Sequence, residues 1–120
     1  MTLVEIHSTL AQTVLLFSLG LSAWAFYLYF RQRGPDSSFL GGMVIGELLF
    51  AAQGILGGAL FFSGRPLAQW VHVLYGATGV IALPAAYFYL RGEGGRRASL
   101  VYGVVGLFMF GLALRAITTG

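Results

Sequence analysis

The chain has 120 residues, of which 58% are apolar and 9% charged, with no cysteine, whereas soluble domains run at about 45–50% apolar and about 25% charged. A water-soluble fold would have almost no polar surface to show, and the lack of cysteine excludes disulfides, thiolate metal sites, iron–sulfur clusters, covalently attached haem and cysteine nucleophiles. The net charge of +3 comes from arginines in short loops and at segment ends, not from one basic patch, which disfavours nucleic-acid binding.

Four apolar stretches follow one another, approximately residues 3–30, 39–62, 67–90 and 98–117. Each reaches the roughly 20 helical residues that cross a hydrocarbon core of about 30 Å at about 1.5 Å per residue. None alternates in polarity as a barrel strand does. The expected fold is an all-α integral membrane protein, one domain over residues 1–120, with four transmembrane helices in an up-down-up-down bundle.

The first stretch has no basic leader and stays apolar up to Tyr27, Tyr29 and Arg31, so it is expected as a retained helix and not a cleaved signal peptide. It carries His7, Gln12, Thr13, Ser18 and Ser22. The second holds Glu47 and Gln53 together with two GxxxG pairs, Gly42/Gly46 and Gly54/Gly58. Small residues let helix backbones approach in lipid, so this helix is expected to form the tightest seam, within the chain or with a second subunit. The third carries His72, Gly76, Thr78 and Gly79, and Pro84 is expected to kink it about halfway along. The fourth carries Arg115.

Arg31, Arg33, Arg91, Arg96 and Arg97 flank the 1–2 and 3–4 loops, against Arg65 and Arg115 at the opposite ends. The positive-inside rule then puts those loops in the cytoplasm and both termini outside, in what is expected to be a prokaryotic plasma membrane. Tyr27-Leu28-Tyr29-Phe30-Arg31-Gln32-Arg33-Gly34 recurs sixty positions on as Tyr87-Phe88-Tyr89-Leu90-Arg91-Gly92-Glu93-Gly94, and Ala25 matches Ala85. An aromatic belt followed by arginine is also what unrelated helices show at a cytoplasmic interface. If the repeat is genuine, it is a parallel one, about an axis along the membrane normal.

Polar groups in hydrocarbon are costly and mark function. Counting from the cytoplasmic ends puts Gln12 and His72 at about 28 Å, Arg115 at about 25 Å, Gln53 near 21 Å, Glu47 near 12 Å and His7 at about 36 Å. Two histidines on helices entering from one face are the minimum for axial ligation of a b-type haem. Helices 1 and 3 are diagonal in such a bundle, so His7 and His72 are the candidate metal ligands. Gly76 and Gly79 share the face of His72 and leave room for a macrocycle, while Arg65 and Arg115 are candidate partners for its propionates. The depth count opposes the pairing, since it sets His7 about 7 Å above His72.

In outline the arrangement resembles the four-helix membrane cytochromes b. That resemblance implies electron transfer between an external partner and a quinone or another subunit. Two other readings stand beside it. One is a non-catalytic accessory subunit of a respiratory or photosynthetic assembly, held by glycine-rich faces. The other is a small homo-oligomeric transporter coupled through Glu47, whose length and helix count resemble the small multidrug transporters, although the buried Glu there belongs to the first helix and here to the second. A quinone is a further candidate ligand, beside His72, Gln12, Gln53, Trp70 and Tyr75. No phosphate loop following a strand and no Ser/His/acid set is present.

Overall fold

Local signals mark the starts of the first two helices and the turns that follow the first and third. In the computed structural model, which describes residues 2–64 and 70–119, the helices are α1 (Leu3–Phe30), α2 (Ser37–Phe62), α3 (Val71–Leu90) and α4 (Arg96–Thr119). Thr2 and Glu5 form a reciprocal capping box that satisfies two free N–H groups at the start of α1. The Asp36 carboxylate accepts from the Phe39 N–H at 2.8 Å and starts α2. At the far end of α1 Gln32 turns into the left-handed region (φ 57°), and Arg91 and Gly92 do so after α3 (φ 53° and 77°). The expected start of the third helix at Leu67 lies outside the described residues. Pro84 does not interrupt α3, which runs as one helix to Leu90.

The four helices form an up-down bundle with a long axis of 48 Å, comparable to a bilayer with its headgroups at about 40–45 Å. α1 and α3 each pack against α2 and α4, and the α1 and α3 backbones do not touch, which puts those two helices across the diagonal. All four helices are long and apolar enough to span a membrane. Apolar side chains such as Leu16, Ile55, Ile81 and Phe108 point outward on all sides. A bilayer is the solvent that accommodates such a surface, so this is an integral membrane protein.

The closest seam joins α1 to α4, not α2 to a neighbour. Ser22 Oγ donates to the Gly103 carbonyl at 2.7 Å, and a Cβ on Gly106 would stand 3.1 Å from the Ser22 Cα and N atoms. Here two backbones meet over small residues, with Ser18 and Ala25 buried on either side of Ser22. On α2 the same glycine chemistry admits side chains instead. Gly42 faces the Trp24 ring and Gly46 faces Leu21 and Phe17. The second GxxxG pair is looser still, since Gly54 meets only a Val80 methyl at 3.8 Å and Gly58 has no atom within 4 Å of where a Cβ would stand.

The end of the bundle bearing the 31–36 and 91–95 loops is the best packed. Phe39 is 1% exposed, with ring centroids 5.3 Å from Trp24 and 5.7 Å from Tyr102. Ser99 Oγ donates to the Arg33 carbonyl at 2.7 Å and Arg96 Nε to that of Tyr29 at 2.9 Å, which ties α4 to the end of α1. Gly34 lies so close to the Gly94 carbonyl that no side chain fits between the loops. These two glycines are equivalent in the sixty-residue repeat, as are the left-handed positions Gln32 and Gly92.

Candidate functional site

At the opposite end, where α1 and α3 begin, side chains of α1, α2 and α3 converge with a main-chain carbonyl of α4. The His7 and His72 rings face one another across the diagonal with centroids 6.2 Å apart and planes at 75°. Depth counting treats helices as upright cylinders with level inner ends. Helices lean by about 20° on average and an imidazole reaches well beyond its Cα, so a count along the chain does not fix where two rings meet.

Each ring is held from a neighbouring helix. His72 Nδ1 lies 2.9 Å from the Ala116 carbonyl of α4. A carbonyl only accepts, so Nδ1 carries the proton and donates, and the lone pair of the neutral ring is on Nε2. His7 rests over Gly57 of α2, where a Cβ would stand 3.4 Å from Cε1. Gln53, also on α2, donates through Nε2 to the His7 carbonyl at 2.8 Å. That bond leaves two buried atoms without partners, Gln53 Oε1 and His7 Nδ1. They are complementary whenever Nδ1 carries the ring proton, and the lone pair of His7 is then also on Nε2.

The chain matches no family model, no curated protein and no solved structure. The site therefore stands on its own geometry.

The other expected site residues divide into those near the pair and those that are not. Gly76, one turn along α3 from His72, has no atom within 4 Å of a Cβ position, like Gly58 on α2. Gly79 does not leave space, because Phe50 of α2 fills it, with a ring carbon 2.5 Å from where a Cβ would be. Gln12 is exposed on the outside of α1, away from the converging side chains. Arg115 is exposed and lies beside Ala116, whose carbonyl holds His72. Arg65 lies outside the described residues. Thr13, Ser18 and Thr78 bond to carbonyls four residues earlier in their own helices, so they are satisfied without a ligand. Glu47 lies on α2, deeper in the bundle than Gln53, with Oε2 buried and unpaired.

Two contributors were not legible in the sequence. Gly57 falls one residue from the GxxxG pair that drew attention, and its adjacency to Gly58 was the available signal. The Ala116 carbonyl is backbone and carries no residue signature.

A metal fits between the rings by distance. An imidazole nitrogen binds at about 2.0–2.1 Å, so two rings on opposite sides of one metal have centroids about 6 Å apart, close to the 6.2 Å observed. The donor set fits too, since a ligating histidine ordinarily donates its other N–H to a carbonyl or similar acceptor. The Ala116 carbonyl does this for His72, and Gln53 Oε1 is placed to do so for His7. A flat macrocycle also needs room; α2 and α3 are the least closely packed neighbouring helices over their length, and Gly58 and Gly76 each have open space where a Cβ would stand.

Proposed function

We propose that the chain is a small b-type membrane cytochrome in which His7 and His72 would hold haem between α1 and α3. The observation that carries the reading is the pairing of those two rings across the bundle diagonal at 6.2 Å. Haem supplies one-electron transfer.

The protein's part is to hold and tune. Ala116 fixes the His72 tautomer, and Gln53 braces α1 at the His7 carbonyl while offering its amide oxygen to the ring. The apolar bundle keeps water away, and Arg115 is the described cation at this end for a propionate. Among the described residues, Arg31, Arg33, Arg91, Arg96 and Arg97 are at the other end. That asymmetry favours termini outside the cytoplasm and an electron partner at the outer surface.

The deciding measurement is an absorption spectrum of protein expressed with haem available and purified in mild detergent. A Soret band with sharp α and β peaks on reduction is expected. A colourless protein with full helical content would overturn the reading. Gln53→Leu, which removes both the bond to the His7 carbonyl and the acceptor beside Nδ1, is expected to weaken haem retention by about 10–100-fold, as loss of a ligand-orienting partner does. Haem titration of the apo-protein measures it.

A further inference from the structure

The half of the bundle away from the histidines carries a groove that the haem reading does not use. It lies between α3 and α4, has a volume of about 300 Å³ and opens to lipid. Ala82, Ala85 and Ala86 recess its α3 wall, while Val101, Val105 and Phe108 form the α4 wall. The lining is apolar apart from the Tyr89 hydroxyl, which stands at the loop end.

Arg97 lies at that mouth. Helical spacing puts residues 97, 101, 105 and 108 on one face of α4, and Arg97 Nη2 donates to Tyr89 Oη at 2.8 Å. Nη1 faces the Glu93 carboxylate at 3.3 Å, and the arginine side chain remains exposed. A guanidinium has more N–H groups than these bonds use, so Nε and Nη2 keep donors for an anion. The adjacent Arg96 turns the other way, with Nε on the Tyr29 carbonyl and its guanidinium 4.0 Å above the Tyr29 ring. Arg91, Arg96 and Arg97 stand against Glu93 alone in residues 91–97, so the mouth is net positive.

The rise from Arg97 to Phe108 is about 16 Å, the depth of one leaflet of a hydrocarbon core of about 30 Å. An arginine beside an interfacial tyrosine, at the head of an apolar groove one leaflet deep, matches a phosphate joined to an acyl chain. We propose that the α3–α4 groove binds an anionic glycerophospholipid, with one acyl chain along the alanine wall and the phosphate on Arg97. A second copy of the chain is the poorer occupant. Its acidic side chains at this end, Asp36 and Glu93, are each already against an arginine, so it has no free anion to bring. Occupancy of the groove does not depend on haem.

The test is native mass spectrometry of the protein in detergent micelles, titrated with palmitoyl-oleoyl phosphatidylglycerol or with phosphatidylcholine of the same chains. One phosphatidylglycerol is expected to bind about tenfold more tightly than phosphatidylcholine, the size of one charge-assisted hydrogen bond. Arg97→Gln should remove that preference. Ala85→Leu, which fills the groove from an exposed position, should weaken binding of both lipids. Arg31→Gln and Ala23→Leu, exposed on α1, are the controls for charge and for bulk and should change neither. Glu93→Gln, which releases Nη1 without touching the groove, should tighten phosphatidylglycerol binding, an effect that a purely structural Arg97 would not produce. Equal affinity for the two lipids, a preference that survives Arg97→Gln, binding untouched by Ala85→Leu, an equal loss in Arg31→Gln, or no gain in Glu93→Gln would each overturn the proposal. So would a dimer whose formation expels the lipid, since the groove would then belong to a second copy.

Discussion

Replacing His72 by Ala is expected to abolish the reduced α and β bands, and His7→Ala is expected to leave a weakly held haem with a five-coordinate spectrum. The asymmetry follows from how the two rings are anchored. His72 is fixed to α4 through Nδ1 and the Ala116 carbonyl, so its loss removes the proposed ligand and also the bond that ties α3 to α4 at this end. His7 is seated on Gly57, and the Gln53 bond goes to its main-chain oxygen. That bond survives truncation of the ring, so the bundle end keeps its shape. Difference spectra of reduced minus oxidised protein, with circular dichroism to verify the helices, give the result. If His72→Ala kept a bis-histidine spectrum, ligation by this pair would be wrong. His72→Met, which offers a thioether, is expected to restore a six-coordinate haem at a higher potential.

Gly106→Leu is expected to destabilise the α1–α4 seam strongly. A Cβ at this position meets main-chain atoms of Ser22 at 3.1 Å, and main chain cannot rotate away as a side chain does. α1 and α4 must separate, which also breaks the 2.7 Å bond from Ser22 Oγ to Gly103. Overpacking costs about 1–3 kcal/mol, and an interhelical hydrogen bond in a membrane averages about 0.6 kcal/mol. The loss should appear as a lower midpoint in thermal or denaturant unfolding in detergent. Gly111→Leu, on the same helix but with no atom within 4 Å of the added Cβ, is the control and should unfold close to the unaltered protein. Equal effects at the two positions would mean that helix propensity, not the seam, sets the cost.

Chain length in hydrocarbon made the four helices legible, because apolar runs of this size have one economical structure in a bilayer. α1 came out with the expected bounds, α2 starts two residues earlier than expected, and α4 extends two residues further at each end. The packing was much less legible. GxxxG pairs on α2 pointed to the wrong seam, because spacing tells which face is smooth but not whether a backbone or a Phe17, Leu21 or Trp24 side chain will fill it. Gly79 shows the same limit at the candidate site, where its space goes to Phe50. The histidines were identifiable as residue types, since two imidazoles in a chain this apolar need a reason to be there. Their meeting was obscured because a depth count cannot see tilt or side-chain reach.

The Ser22 hydroxyl finds its acceptor 81 residues further along the chain, and this has a bearing on biosynthesis. α1 has its closest partner in α4, three helices later. Until α4 is inserted, the Ser18–Ser22–Ala25 face of α1 has no backbone to lie against, and a three-helix intermediate would expose that smooth face to lipid and to any insertion factor beside it. Closure of the bundle thus waits on insertion of α4, and stalling synthesis within α4 should trap a species in which α1 remains open to crosslinking.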